Sequence, residues 1–210
     1  VVEMVSLGLA VGIAFSYRIV TKLLVLTRIS KRVKSIETTS ICIWGLGAIV
    51  TAILIQDQYV FQVPVVDTNV FILAAIIMLV NTVLSHFVYC QPTGSTNIFF
   101  GAVVFPLLQE VVFRGLLLPV LNPSFGFVVI EMFEVQVSLS VLVSALLFAF
   151  AQLQYDQSKG ISVSKLSIVF IVGALFGVIA DSTQSIFIPV LLHIEYKLLA
   201  NYYSNREKVE

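Results

Sequence analysis

Only 11% of the 210 residues are charged, so ionisable side chains inside apolar runs stand out. Three places hold them. The first is Phe105-Pro106-Leu107-Leu108-Gln109-Glu110-Val111-Val112-Phe113-Arg114-Gly115. Glu110 and Arg114 are four apart, which puts them on one helix face with the carboxylate preceding the guanidinium, the favourable order. The second is Leu147-Phe148-Ala149-Phe150-Ala151-Gln152, where the amide comes near the end of its run and also suits a capped or solvated helix end. The third is Pro189-Val190-Leu191-Leu192-His193-Ile194-Glu195-Tyr196-Lys197, with His193 and Lys197 again four apart. Each charge at the centre of a membrane helix costs about 2.5–3.5 kcal/mol, so each needs a partner or a task. A carboxylate and an imidazole in an apolar setting can act as general base and acid. The same residues can also be an intrahelical salt bridge and a hydrogen-bonded structural histidine, and both readings stand at this point. The other histidine, His86, lies near the end of its run beside Tyr89 and reads as an interfacial residue.

The elements that must position these groups are transmembrane helices. Hydrophobic residues make up 59% of the chain and its mean hydropathy is +1.02, beyond what a soluble domain of this length can bury. About 20 helical residues cross the hydrocarbon core. On that measure about seven apolar runs are candidate spans: 4–27, 39–56, 69–90, 98–121, 137–153, 166–182 and 184–202. The first carries Arg18 and Lys22 and could instead lie along the interface. The last two could form a tight hairpin around Asp181-Ser182-Thr183, and 124–136 reads as a connector or short interfacial helix. The fold class is therefore all-α, a polytopic transmembrane bundle.

Charge sets the orientation. Arg28, Lys31, Arg32 and Lys34, then Lys159 and Lys165, then Arg206 and Lys208, all fall on one side of a seven-span layout. The positive-inside rule assigns that side to the cytoplasm, stroma or matrix, with Asp57 and Asp67 opposite. Twelve basic against twelve acidic residues argue against nucleic-acid binding, where a strongly basic face is the usual footprint. Cys42 and Cys90 make no metal or disulfide pattern and read as small buried apolar residues. One histidine per site argues against catalytic zinc, which takes three protein ligands, so no metal and no other cofactor is expected. Gly8-x-x-x-Gly12 and Gly173-x-x-x-Gly177 allow close helix approach, read first as packing within the chain. A first residue of Val rather than Met leaves a processed or truncated start open, including removal of a targeting peptide.

In this order and separation the three polar places resemble the CAAX protease and bacteriocin-processing family (CPBP, also called ABI). Gln109-Glu110-x-x-x-Arg114-Gly115 resembles its EExxxRG motif, Ser144 to Gln152 with Phe148 stands where FxxxH falls, and His193 with Lys197 stands where HxxxN/D falls. The resemblance covers roughly 98–202. It implies a CPBP-like membrane core there, preceded by N-terminal transmembrane helices over 1–97 and followed by a polar tail over 203–210. It also implies glutamate-dependent intramembrane endopeptidases, in which motif glutamates and histidines activate a water that attacks the scissile carbonyl.

This chain departs from the pattern at three polar positions. Gln109 replaces the first glutamate, Gln152 the FxxxH histidine and Lys197 the final Asn or Asp. An amide cannot take a proton from water, so the expectation leans away from an enzyme. It points to an impaired family member serving as a scaffold or subunit of a membrane complex, with other integral membrane proteins and the bilayer as partners. In that reading Lys197 makes a structural contact to Glu110 or Glu195. One alternative is an active CAAX-type endopeptidase with Glu110 and His193 as catalytic residues. Another is a pigment-, quinone- or lipid-binding subunit using His86, Gln152 or His193. The expected location is a multi-pass membrane protein of a bacterial plasma membrane or a plastid membrane.

Overall fold

The computed structural model describes residues 2–27, 33, 35–55, 58–87, 98–132, 135–155 and 163–206. Each of the seven apolar runs holds helix in its described part, although 137–153 begins in a strand and 184–202 in a turn. The first is a bent pair, α1 (Val2–Ala14) and α2 (Ser16–Leu26), meeting at 52°. Next come α3 (Ile36–Ile55), the single turn α4 (Gln58–Phe61) and α5 (Thr68–Phe87). A 26-residue rod, Phe100–Phe125, contains α6 (Phe105–Glu110) and α7 (Leu118–Phe125). A hairpin of β1 (Val128–Met132) and β2 (Val135–Ser138) leads into α8 (Leu139–Tyr155), α9 (Val163–Thr183) and α10 (Phe187–Arg206).

The chain is a multi-pass membrane protein. Among the described residues four helices are long and apolar enough to cross a membrane: Ile36–Ile55, Thr68–His86, Phe100–Phe125 and Val163–Thr183, with the bent pair making five if it crosses as one. The 17-residue α8 is short, and α10 carries His193, Glu195 and Lys197 among its apolar residues. A correction concerns 124–136, expected as a connector or interfacial helix. Its described part is largely the antiparallel hairpin, because Val128, Val129, Ile130, Val135 and Val137 are β-branched and favour a pleated chain.

Local chemistry explains the breaks. At the first bend Ser16 Oγ donates to the Ile13 carbonyl (2.6 Å) and accepts from Trp44 Nε1 (2.8 Å). One side chain of α8 bonds to the backbone on both sides of the bend. Gln154 Nε2 donates to the Ala14 carbonyl (2.9 Å), and its Oε1 accepts from the Arg18 amide (3.1 Å). A membrane protein must satisfy such groups internally. In the rod, π-helical turns at Phe100–Val104 and Val111–Leu117 each end two residues before a proline, Pro106 and Pro119. The wider turn relieves the clash between a proline ring and the preceding helical turn.

The core runs through the N-terminal and C-terminal halves alike. Ala10, Ala14, Tyr17, Ile41, Trp44 and Ala48 pack in one cluster with Phe105, Leu108, Val112, Leu117 and Phe148. A second cluster joins α5, α9 and α10 through Val70, Ile77, Phe176, Ile179 and Leu192. Of the two small-residue spacings, Gly173 and Gly177 do pack within the chain. A Cβ at Gly173 would lie 3.0 Å from Phe148, and one at Gly177 3.0 Å from Val141. Gly8 and Gly12 instead have nothing within 4 Å of a Cβ among the described residues, so the close packing within the chain expected there does not form. Cys42 also departs from expectation, because it is exposed: it lies off the buried stripe Ser40, Ile41, Trp44, Gly45, Ala48 and Ala52. Cys90, Tyr89, Asp57 and the basic residues Arg28, Lys31, Arg32, Lys34, Lys159 and Lys208 lie outside the described residues.

Candidate functional site

The 26-residue rod is the most enclosed of the candidate spans, with 72% of its apolar window buried, which is why it can carry charge. Glu110 closes α6 and Arg114 follows within the second π segment, both fully buried. Arg114 Nη1 donates to Glu110 Oε1 at 3.1 Å, so the expected intrahelical pair forms. Arg114 Nη2 donates to the Gly173 carbonyl of α9 at 2.7 Å. The guanidinium carbon stands 4.6 Å from the centre of the Phe148 ring and 5.9 Å from that of Phe176, within cation–π range.

His193 comes to this pair from α10. Its Nδ1 sits 2.6 Å from the same Glu110 Oε1, with the imidazole 3% exposed. The imidazole tautomer sets which of these two atoms donates, and Nε2 is the second ring nitrogen. Phe148 and Phe176 flank the imidazole, with ring centres 6.0 and 5.5 Å away. The structure thus brings together Glu110, Arg114, His193 and Phe148 from three separate apolar runs.

The remaining motif positions are placed differently. Gln109 is fully buried on the rod with its amide toward Tyr155, and it makes no hydrogen bond to the Glu110 carboxylate. Gln152 is half-buried one turn beyond Phe148. Lys197 is half-buried one turn beyond His193. Among the described residues Glu110 Oε2 has no hydrogen-bond partner, Lys197 included, while Glu195 accepts from Asn81 Nδ2 at 3.1 Å. Among the described residues no three His, Cys, Asp or Glu side chains gather where they could hold a metal. His86 is exposed and stacks on Tyr203, with ring centres 3.6 Å apart.

Several contributors had no sequence signal. The Gly173 carbonyl is a backbone acceptor 59 residues from Arg114, and Phe176 is one of sixteen phenylalanines. A second polar cluster was also missed. Asp181 Oδ1 accepts from Tyr59 Oη (3.1 Å) and Asn122 Nδ2 (3.0 Å), and its Oδ2 accepts from Ser138 Oγ (3.1 Å). Ser140 Oγ donates to Asn122 Oδ1 at 2.5 Å. Asp181, Asn122 and Tyr59 each sit in what reads as turn sequence, and only the fold joins them. Burial, then the Asp181 carboxylate, raises the Tyr59 phenol well above the ordinary tyrosine range, so it stays protonated and donating.

No curated protein and no solved structure gives a significant match to the chain. A family model described as "Type II CAAX prenyl endopeptidase Rce1-like" matches residues 91–199, a stretch that includes Gln109, Glu110, Arg114, Phe148, Gln152, His193 and Lys197.

Proposed function

The chain belongs to the Rce1-like family of type II CAAX prenyl endopeptidases, and on that premise we propose that it is a catalytically impaired member, acting as a scaffold or subunit of a membrane complex. The observation that carries the reading is the state of Glu110. One of its oxygens holds both Arg114 and His193 in a fully buried cross-link between the rod, α9 and α10. The group beside it that should handle a proton is the amide of Gln109, which has no basic lone pair to offer water. Gln152 and Lys197 remove the other two polar groups of the motif. What remains ties three helices together and lacks a complete set of acid, base and oxyanion donor.

The test uses the whole protein in lipid with a prenylated CAAX peptide. The expected result is no cleavage by the wild type, with cleavage appearing when Gln109→Glu, Gln152→His and Lys197→Asn are introduced together. Gentle purification from the native membrane should retain a stoichiometric protein partner. Cleavage by the wild type that disappears in Glu110→Ala overturns the proposal.

One observation favours a second reading, an active endopeptidase. Glu110 Oε2 is buried without a partner, beside an imidazole 2.6 Å from its sister oxygen. In that reading Oε2 takes a proton from a water, the resulting hydroxide attacks the scissile carbonyl, and the proton passes to the leaving amine. The same assay separates the two.

A further inference from the structure

We infer that the end of the bundle opposite α9's Lys165 carries an apolar collar that lies on a zwitterionic lipid surface, at the boundary between headgroups and acyl chains. Two segments outside the helical spans form it. The connector 61–66 exposes Phe61, Val63, Val65 and Val66, with Val63 at 82%. The hairpin exposes Phe127, Val128, Val129 and Ile130, with Phe127 at 60%.

These segments belong to one rigid end. Tyr59, two residues before Phe61, donates to Asp181, and so does Ser138 at the close of the hairpin. The Ile186 amide donates to the Tyr59 carbonyl at 2.8 Å, and Ser185 Oγ to the Gln62 carbonyl at 2.6 Å. The Leu139 amide donates to the Phe127 carbonyl at 3.0 Å. Such anchoring fixes where the apolar side chains are presented.

A strand on a water-facing hairpin alternates polar and apolar residues, and β1 does not. Its register slips between Val128 and Ile130, which pair with Ser138 and Val137, so Val129 is an extra residue. That bulge re-aims the strand, and three successive apolar side chains end up exposed. Strand β2 packs Val135 and Val137 against the core, while β1 lies outside it with Val128, Val129 and Ile130 exposed.

Three facts choose lipid as the occupant. The hairpin leads into α8, whose 17 residues span about 25 Å, short of a hydrocarbon core of about 30 Å. Apolar side chains at its N-terminal end make up part of the missing length, as hydrophobic mismatch demands. The stretches 58–67, 122–138 and 181–187 contain no Lys or Arg, while Asp67 and Glu131 are exposed there. An anionic surface is therefore disfavoured and a zwitterionic one is not. Finally, a free strand edge cannot be satisfied in hydrocarbon, so β1 lies at headgroup depth, where water and headgroups take its backbone groups.

The experiment places a single bimane label at Val129→Cys in a chain carrying Cys42→Ser and Cys90→Ser, reconstituted in phosphatidylcholine nanodiscs. The expected result is a blue-shifted label, protected from aqueous iodide and quenched more by nitroxide lipids carrying the spin near the headgroup than at the chain end. A label at Val63→Cys should behave alike, and one at Glu131→Cys should remain open to iodide. Full iodide quenching at Val129 overturns the inference. So does a label protected in the native membrane but exposed to water in nanodiscs, which would make the collar a protein contact.

Discussion

His193 Nδ1 and Glu110 Oε1 meet at 2.6 Å, although 83 residues separate them in the chain. The contact closes a buried unit in which one carboxylate oxygen serves an arginine on its own helix and a histidine on another. Within the apolar core each member is costly alone and tolerable only with the others.

Breaking this unit at one point should cost more than removing the charge pair. Arg114→Met leaves a buried carboxylate without its cation, and a loss of about 3–5 kcal/mol is expected for such a cut. Glu110→Leu with Arg114→Met should recover much of it. Thermal unfolding of both variants in detergent checks the ordering.

Gly115 is set by contact with a neighbouring segment. A Cβ there would come within 2.5 Å of Val60 Cγ2 on α4, and valine is stiff at χ1. Gly115→Ala should destabilise by about 1–3 kcal/mol, as overpacking does. Val60→Ala in the same chain should restore part of the loss in the same unfolding assay.

The two small-residue pairs should respond oppositely to alanine. Gly177→Ala pushes on Val141 and should loosen the packing of α8 on α9. Gly8→Ala and Gly12→Ala meet open space, so they should leave stability level or raise it by up to about 1 kcal/mol each through helix propensity. A large loss at Gly8 or Gly12 in a monodisperse preparation would contradict that surface assignment.

Tyr59 gives a pH dependence. Its folded-state value is raised by burial and then by Asp181, so folding favours the protonated phenol. The stability this contributes is fully present below the ordinary tyrosine value near 10 and is lost as pH rises toward the folded value. Denaturation followed from about pH 8 to pH 11 should fall more steeply in the wild type than in Tyr59→Phe. Equal slopes would show that Tyr59 ionises as freely in the folded chain as in the unfolded one.

Part of this protein was legible in the residues alone. Apolar runs set by helix length and the thickness of a bilayer located every long helix, because burial in lipid is dictated by composition along the chain. The i to i+4 spacing likewise fixed the Glu110–Arg114 pair, since helix geometry brings those positions together whatever surrounds them. What the tertiary structure decided was everything that depends on distant segments meeting. That His193 and not Lys197 bonds to Glu110, that Gly173 offers Arg114 its carbonyl, and that Asp181 gathers Tyr59, Asn122 and Ser138 all follow from helix packing. The bent first segment and the 128–138 hairpin came out differently from expectation for the same reason. Hydropathy records how much apolar surface a segment has, but Ser16, Gln154 and the bulge at Val129 determine its path only once their partners are in place.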